Sequence, residues 1–127
     1  MSIDVYITVN RGGELFDALF LHNAFEICAW FENNLKSVSA GTGYVDENGY
    51  DCYPITRQEY EQFLSVCRST LASQNRPGIA STGLQPDAQR KDMGEYWESI
   101  ASAVEQLEMA KTEIDWNSDL VSFTASY

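Results

Sequence analysis

Basic residues are scarce in this 127-residue sequence: Lys and Arg total 8 against 19 Asp and Glu, for a formal net charge of −11. Proteins that bind nucleic acid neutralise phosphates with clustered Lys and Arg. The adjacent pair Arg90 and Lys91 is too small a cluster for that role. The composition therefore disfavours direct nucleic-acid binding and favours the basic surface of another protein as a partner.

Cysteine and histidine are also few, and no two cysteines form a Cys-x-x-Cys pair: Cys28, Cys52 and Cys67. This spacing indicates neither a disulfide framework nor a zinc module. The acidic segment 46–51 has Gly49 at its fourth position, where a calcium loop needs glycine at the sixth. We expect reduced thiols, no metal and no cofactor.

Long apolar runs are missing as well. No stretch approaches the roughly 18 apolar residues of a membrane span, and Asp4 stands where a signal peptide needs a basic start and an apolar run. We therefore expect no membrane association and a cytoplasmic location. The length fits one domain over residues 1–127, and the 44% of hydrophobic residues is ample for a core.

Two segments near the N-terminus predict a β-hairpin. Residues 3–9 alternate apolar and polar side chains, which is the period of a half-buried strand. Gly12 and Gly13 permit a turn, and residues 15–21 form a second apolar, aromatic-rich run.

Two further segments predict strands. Segment 43–53 contains Asn48-Gly49, a dipeptide that tolerates both positive φ angles of a tight primed turn, so we expect a small hairpin there. The C-terminal segment is expected to pair with residues 113–116 through a turn at residues 117–118. Its apolar residues share one face of a strand: Val121, Phe123, Ala125 and Tyr127.

Three helices are predicted, each from a capping residue with a glutamate three positions later: Asn23 with Glu26, Thr56 with Glu59, and Asp92 with Glu95. The apolar residues after each cap recur at helical spacing. They are Ala24, Ile27, Cys28, Phe31 and Leu35; then Tyr60, Phe63, Leu64, Cys67 and Leu71; then Trp97, Ile100, Ala101, Val104 and Leu107. Residues 75–91 lack periodicity and predict a long loop. The fold class is therefore α+β, a small mixed or antiparallel sheet with three amphipathic helices packed on one face.

The third predicted helix carries an acidic face, formed by four glutamates: Glu95, Glu98, Glu105 and Glu108. Such a face is either simply solvated or docks on a basic groove. We take these residues as the first candidate binding surface.

A second candidate site lies near the end of the second strand and the tyrosine hairpin: His22, Asp17, Tyr44, Tyr50 and Tyr53. A histidine next to a helix N-terminus can act as a general base or hold an anion. The sequence identifies neither a nucleophile nor an orienting carboxylate for His22, so we assign no catalytic residue and expect His22 to be structural.

The opening of the chain resembles a group of small uncharacterised proteins of phages and their bacterial hosts. The resemblance rests on a strand at residues 3–7 and a second strand that ends in His22 and Asn23 directly before a helix. It covers roughly the first 35 residues. It implies a phage or mobile-element setting, and thus the host cytoplasm, and implies no activity.

Together these features favour a non-enzymatic acidic binding protein. One form of it is a phage-encoded, anti-defence inhibitor that docks on a basic, nucleic-acid-handling protein. The alternative is a small enzyme or ligand-binding domain with a pocket near His22 and the 43–53 hairpin. A homo-oligomer is compatible with either hypothesis.

Overall fold

A five-stranded antiparallel sheet forms one layer of the computed structural model, which describes residues 3–74, 84–87 and 90–127. The strand order is β2-β1-β5-β4-β3. The strands are β1 (Asp4–Arg11), β2 (Glu14–His22), β3 (Tyr44–Val45), β4 (Asp51–Pro54) and β5 (Leu120–Ser126). The helices are α1 (Phe25–Asn34), the short α2 (Lys36–Ser39), α3 (Arg57–Ser73) and α4 (Met93–Lys111). The α+β class is confirmed, but the described residues form four helices where the sequence predicts three, because the first helix ends before Leu35, whose backbone is extended, and the four-residue α2 follows.

The hydrophobic core lies between one face of the sheet and helices α1, α3 and α4. Val5, Ile7 and Val9 of β1 are buried there, as their alternation predicts. Phe31 of α1 packs between Phe63 of α3 and Phe123 of β5, with ring centroids 4.4 and 4.7 Å away, and its ring stacks on that of Phe123. These contacts join the helical layer to the sheet.

The C-terminal strand pairs differently from the prediction. Residues 113–116 form no strand, and β5 pairs instead with β1 along residues 4–10 and with β4. The connection from α4 to β5 is a tight turn in which the Asp115 carboxylate accepts from the amide of Asn117 and the hydroxyl of Ser118. A turn held by aspartate side chains replaces the expected hairpin.

The predicted 43–53 hairpin forms, but its turn is not of the primed type. Gly49 has a positive φ of 85°, and Asn48 does not. The Asp46 carboxylate instead accepts hydrogen bonds from the amides of Asn48 and Tyr50, at 2.9 and 3.0 Å. These hydrogen bonds stabilise a loop between β3 and β4 that is longer than a primed turn.

The predicted capping role of Asn23 is wrong. The N-cap residue of α1 is Ala24, and within residues 3–74, 84–87 and 90–127 no side chain caps this helix. Asn23 has a φ of 54°, whereas a capping residue needs an extended conformation. Glu26, its expected reciprocal partner, binds Arg90 instead.

Of the other two predicted reciprocal caps, the structure shows one in full and one as a single hydrogen bond. Thr56 and Glu59 form the complete reciprocal pair at the start of α3. Asp92 accepts a hydrogen bond from the amide of Glu95 at the start of α4, at 3.2 Å. Both helices therefore begin where the sequence predicts.

The face of helix α4 that packs against the core differs from the predicted one. Its buried residues are Tyr96, Ile100, Ala103, Leu107 and Ala110. Ala101, predicted to face inward, is exposed, and Trp97 and Val104 are half-buried. The hydroxyl of Tyr96 donates to the carbonyl of Leu84, which allows the whole tyrosine to be buried.

Most of the predicted loop at 75–91 lies outside the described residues. Within the described ranges, no helix combines the length and apolarity that crossing a bilayer requires.

Candidate functional site

The face of the sheet opposite the helices is open, and we call it the open face. Because Val5, Ile7 and Val9 point to the core, the alternate residues of β1 and their cross-strand partners point the other way. They are Asp4, Tyr6, Thr8 and Asn10 of β1; His22, Phe20, Asp17 and Leu15 of β2; and Ser126, Thr124, Ser122 and Leu120 of β5. The open face is thus rich in hydroxyl, aromatic and carboxylate groups.

A β-bulge decides which residues of β2 reach the open face. The pairing steps from Ile7 with Leu19 to Thr8 with Asp17, so Ala18 is the extra residue. At this extra residue, the order in which the side chains of β2 alternate between the core and the open face reverses. Leu19 is therefore buried, whereas Leu15, four residues earlier, is 60% exposed.

The β3–β4 hairpin bounds one side of the open face and completes a cavity of about 410 Å³. The hydroxyl of Tyr44 lies 2.8 Å from Oγ of Ser122, which ties the hairpin to the middle of the sheet. The hydroxyl of Thr124 donates to Sγ of Cys52 at 3.3 Å. The cavity is of the size that binds small ligands or segments of partner proteins.

The structure separates the residues of the second candidate site. Tyr44 and Tyr50 line the cavity. Asp17 accepts from the hydroxyl of Thr8 at 3.4 Å and lies on the same face. His22 is at the far end of that face, where its Nδ1 contacts the carboxylate of Asp4, so the expectation that no carboxylate accompanies this histidine is wrong. Tyr53 lies elsewhere: its ring stacks on the core residue Phe123, at a centroid distance of 6.4 Å.

The acidic face of α4 is partly neutralised within the chain. Glu108 forms an ion pair with Arg68 of α3, and the Glu95 carboxylate lies 4.0 Å from Nη1 of Arg90. Glu98 and Glu105 are exposed and seven residues apart, so they lie on one stripe of the helix. This stripe is on the helical layer and does not reach the cavity of the open face.

The side chains of the site are suited to binding rather than to nucleophilic chemistry. Burial raises the pKa of the Cys52 thiol, which lines the cavity, so the thiol is protonated at neutral pH. Burial also raises the pKa of Cys28 and Cys67 to about 12. Among the described residues, His22 has no hydroxyl or thiol as a hydrogen-bond partner, and no three His, Cys, Asp or Glu side chains cluster as metal ligands do.

Sequence reasoning missed the hydroxyl-bearing floor of the cavity. Ser122, Thr124 and Ser126 alternate with the apolar residues of the C-terminal strand. The two-residue period of the strand therefore already predicts a hydroxyl-bearing face opposite the apolar one. It also missed the ion pair of Glu26 and Arg90, whose side chains are 5% and 6% exposed. No local pattern points to a partner 64 residues away.

Comparison with protein-family models, with curated proteins and with solved structures finds no match to this chain.

Proposed function

We propose that the protein is a non-enzymatic binding protein that docks the open face of its sheet on a basic surface of another protein. The cavity of about 410 Å³ on that face carries the proposal, because its lining includes Asp46 and Glu47 and contains no Lys or Arg among the described residues. A concave, negatively charged surface is complementary to a cationic one.

The distribution of basic residues supports this partner. Arg11, Arg57, Arg68 and Arg90 each form an ion pair with a carboxylate of the same chain. These four positive charges are therefore compensated locally, which leaves 15 of the 19 carboxylates against the 4 other basic residues and so accounts for the net charge of −11. A long-range field of this sign steers basic partners toward the protein and repels nucleic acid.

Exposed apolar residues gather on the same side. Leu15, Phe20 and Leu120 project from the open face, and Tyr44 and Tyr50 belong to the hairpin beside it. Apolar side chains grouped in this way typically mark a protein interaction site. Tyrosine in particular is enriched at binding interfaces.

The resemblance of the opening segment to phage proteins supports one form of this function. In that setting, the partner is a nucleic-acid-handling host protein, whose DNA- or RNA-binding groove is basic. The protein then acts as an inhibitor that occupies this groove.

Affinity capture from the organism that contains the gene, followed by binding measurements with the purified partner, tests the proposal. The open-face variant Leu15→Ser/Tyr50→Ala removes two exposed side chains of the cavity. A matched control, Met93→Ser/Met109→Ser, removes two exposed apolar side chains of α4 instead.

We expect a basic partner whose affinity falls at least tenfold in the open-face variant and stays unchanged in the control. Affinity should also fall as salt rises, because exposed charges are screened within about 8–10 Å at 0.1–0.15 M ionic strength. Equal binding by both variants, or binding indifferent to salt, would overturn the proposal.

The cavity also favours the second candidate function, a small-ligand-binding domain, since its volume is in the range of such sites. This function predicts that a small cationic metabolite raises the melting temperature at submillimolar concentration. The Leu15→Ser/Tyr50→Ala variant should abolish that increase.

A further inference from the structure

Aromatic rings and hydroxyl groups enclose the cavity of the open face. Tyr6 of β1, Tyr44 of β3 and Tyr50 of the hairpin loop all line it. The hydroxyl of Tyr44 is held by Ser122, which fixes that side chain against the sheet. Aromatic rings bind cations through their π faces, and they stack well on the planar guanidinium group.

The floor of the cavity accepts hydrogen bonds more readily than it donates them. The hydroxyl proton of Thr8 points to the Asp17 carboxylate, and that of Thr124 points to Sγ of Cys52. The oxygen lone pairs of Thr8 and Thr124 are left as acceptors. Ser126 adds a further hydroxyl group at the edge of the lining. A ligand rich in N–H donors fits this floor.

The mouth of the cavity carries fixed negative charge. One carboxylate oxygen of Asp46 is held by the amides of Asn48 and Tyr50, which orients the side chain, and exposed Glu47 is its neighbour. At the other side of the cavity, burial and then the carboxylates of Asp4 and Asp17 raise the pKa of Tyr6. Carboxylates therefore flank the cavity on both sides, which disfavours an anionic ligand.

We propose that this cavity is the recognition pocket for an arginine side chain of the partner protein. The guanidinium group has five N–H donors, no acceptor and a permanent charge, which match the hydroxyl acceptors, the aromatic walls and the carboxylates at the mouth. Lysine offers a strongly hydrated point charge with three donors and uses the aromatic walls less well. This inference rests on the proposed function, and it specifies the residue that anchors the partner.

The test uses three capped tripeptides that differ only in their central residue: Gly-Arg-Gly, Gly-Lys-Gly and Gly-norleucine-Gly. Each is titrated into the isotope-labelled protein while amide chemical shifts are recorded. We expect the arginine peptide to shift amides of β1, β5 and the 43–53 hairpin, and to bind at least fivefold more tightly than the lysine peptide. The norleucine peptide should produce no saturable shift.

Two variants make the result specific. Tyr50→Ala should weaken arginine-peptide binding at least fivefold, and the surface variant Met109→Ser should leave it unchanged, since Met109 is 70% exposed on the helical layer. Three results would overturn the inference. They are shifts confined to α4, equal binding of the arginine and norleucine peptides, and tighter binding of agmatine than of the arginine peptide. Agmatine carries the same guanidinium group without a peptide backbone, so its preference would indicate a small-molecule ligand.

The two proposals fail separately. If a partner loses affinity for the Leu15→Ser/Tyr50→Ala variant but the arginine peptide does not bind, the docking surface is right and the arginine pocket is wrong. If the arginine peptide binds the cavity but the affinity of the purified partner is unchanged by the open-face substitutions, the cavity binds arginine, but the docking surface and the assignment of that arginine to the partner are wrong.

Discussion

The hydroxyl of Tyr44 lies 2.8 Å from Oγ of Ser122, and this contact joins the β3–β4 hairpin to the middle strand of the sheet. Ser122 is buried, so its hydroxyl depends on a protein partner. The contact also sets one wall of the cavity on the open face. The shape of the candidate site and the stability of the hairpin are therefore coupled.

Removal of the Tyr44 hydroxyl alone should loosen the hairpin. We expect Tyr44→Phe to lower the free energy of unfolding by about 1 kcal/mol, because Ser122 loses its partner in a buried position. Amide hydrogen exchange in residues 43–53 should quicken. Tyr50→Phe is the control, since the hydroxyl of Tyr50 makes no hydrogen bond within the described residues, and a similar loss in this control would contradict the explanation.

Glu26 and Arg90 form a two-pronged ion pair with both side chains almost fully buried. Arg90→Leu should destabilise the protein by about 3–5 kcal/mol, since it leaves a buried carboxylate without its partner. Glu26→Leu/Arg90→Leu should recover most of that loss. Urea unfolding of the three proteins measures this, and a double variant no better than the single one would contradict it.

The same pair makes stability depend on pH. Burial alone would raise the pKa of Glu26, but hydrogen bonds from Arg90 and from the amides of Asp87 and Glu26 outweigh it and lower the pKa. A carboxyl with a lowered pKa stabilises the fold above its unfolded pKa of about 4.3, and this contribution is lost as pH falls through the folded value. Glu26→Gln should therefore show a shallower loss of stability between pH 5 and pH 2 than the wild-type protein. An identical acid profile for the two would contradict this assignment.

Asn23 offers a test of why the first predicted cap fails. Its φ of 54° is favourable for glycine, and its side-chain oxygen is buried and has no hydrogen-bond partner among the residues that the structure describes. We expect Asn23→Gly to leave the melting temperature unchanged or raise it, and Asn23→Ser to lower the free energy of unfolding by about 1 kcal/mol. A capping role would give the reverse order, because serine caps a helix as well as asparagine does.

The acidic stripe of α4 remains a prediction that can be tested apart from the open face. Glu98→Lys/Glu105→Lys changes the net charge from −11 to −7, because each reversal adds two positive charges. If the partner docks on the open face, association should slow as long-range steering weakens, and dissociation should be unaffected. Biolayer interferometry with the purified partner measures both rates. Faster dissociation of this variant would indicate that α4 is part of the interface. Glu108 is left intact because its ion pair with Arg68 joins α4 to α3.

The sequence predicts the fold well where a signal is local and periodic. The alternation in residues 3–9 and the reciprocal cap of Thr56 and Glu59 are examples, since each depends on neighbours within a few positions. Prediction from the sequence fails where a residue far away in the chain determines the local contacts. Glu26 pairs with Arg90 and does not form its predicted cap. Tyr96, whose hydroxyl donates to the carbonyl of Leu84, is buried where the sequence predicts Trp97.

The candidate site was only partly predictable for the same reason. Tyr44 and Tyr50 could be identified because the hairpin that carries them has a turn signal. The bulge at Ala18, which brings Asp17 and Leu15 to the open face, has no marker such as glycine in the sequence. The cavity depends on how the hairpin meets β5 through Tyr44 and Ser122, which are 78 residues apart in the chain.

The most direct test of the account is the hydrogen-exchange footprint of the purified partner on this protein. Exchange of every amide is compared in the free protein and in the complex, at a salt concentration low enough to keep the complex intact. We predict that protection on binding concentrates in the 43–53 hairpin and in β1 and β5 below it, while the exposed side of α4 around Glu98 and Glu105 exchanges as in the free protein. Protection confined to α4, with the hairpin unchanged, would contradict the claim that the open face is the binding surface.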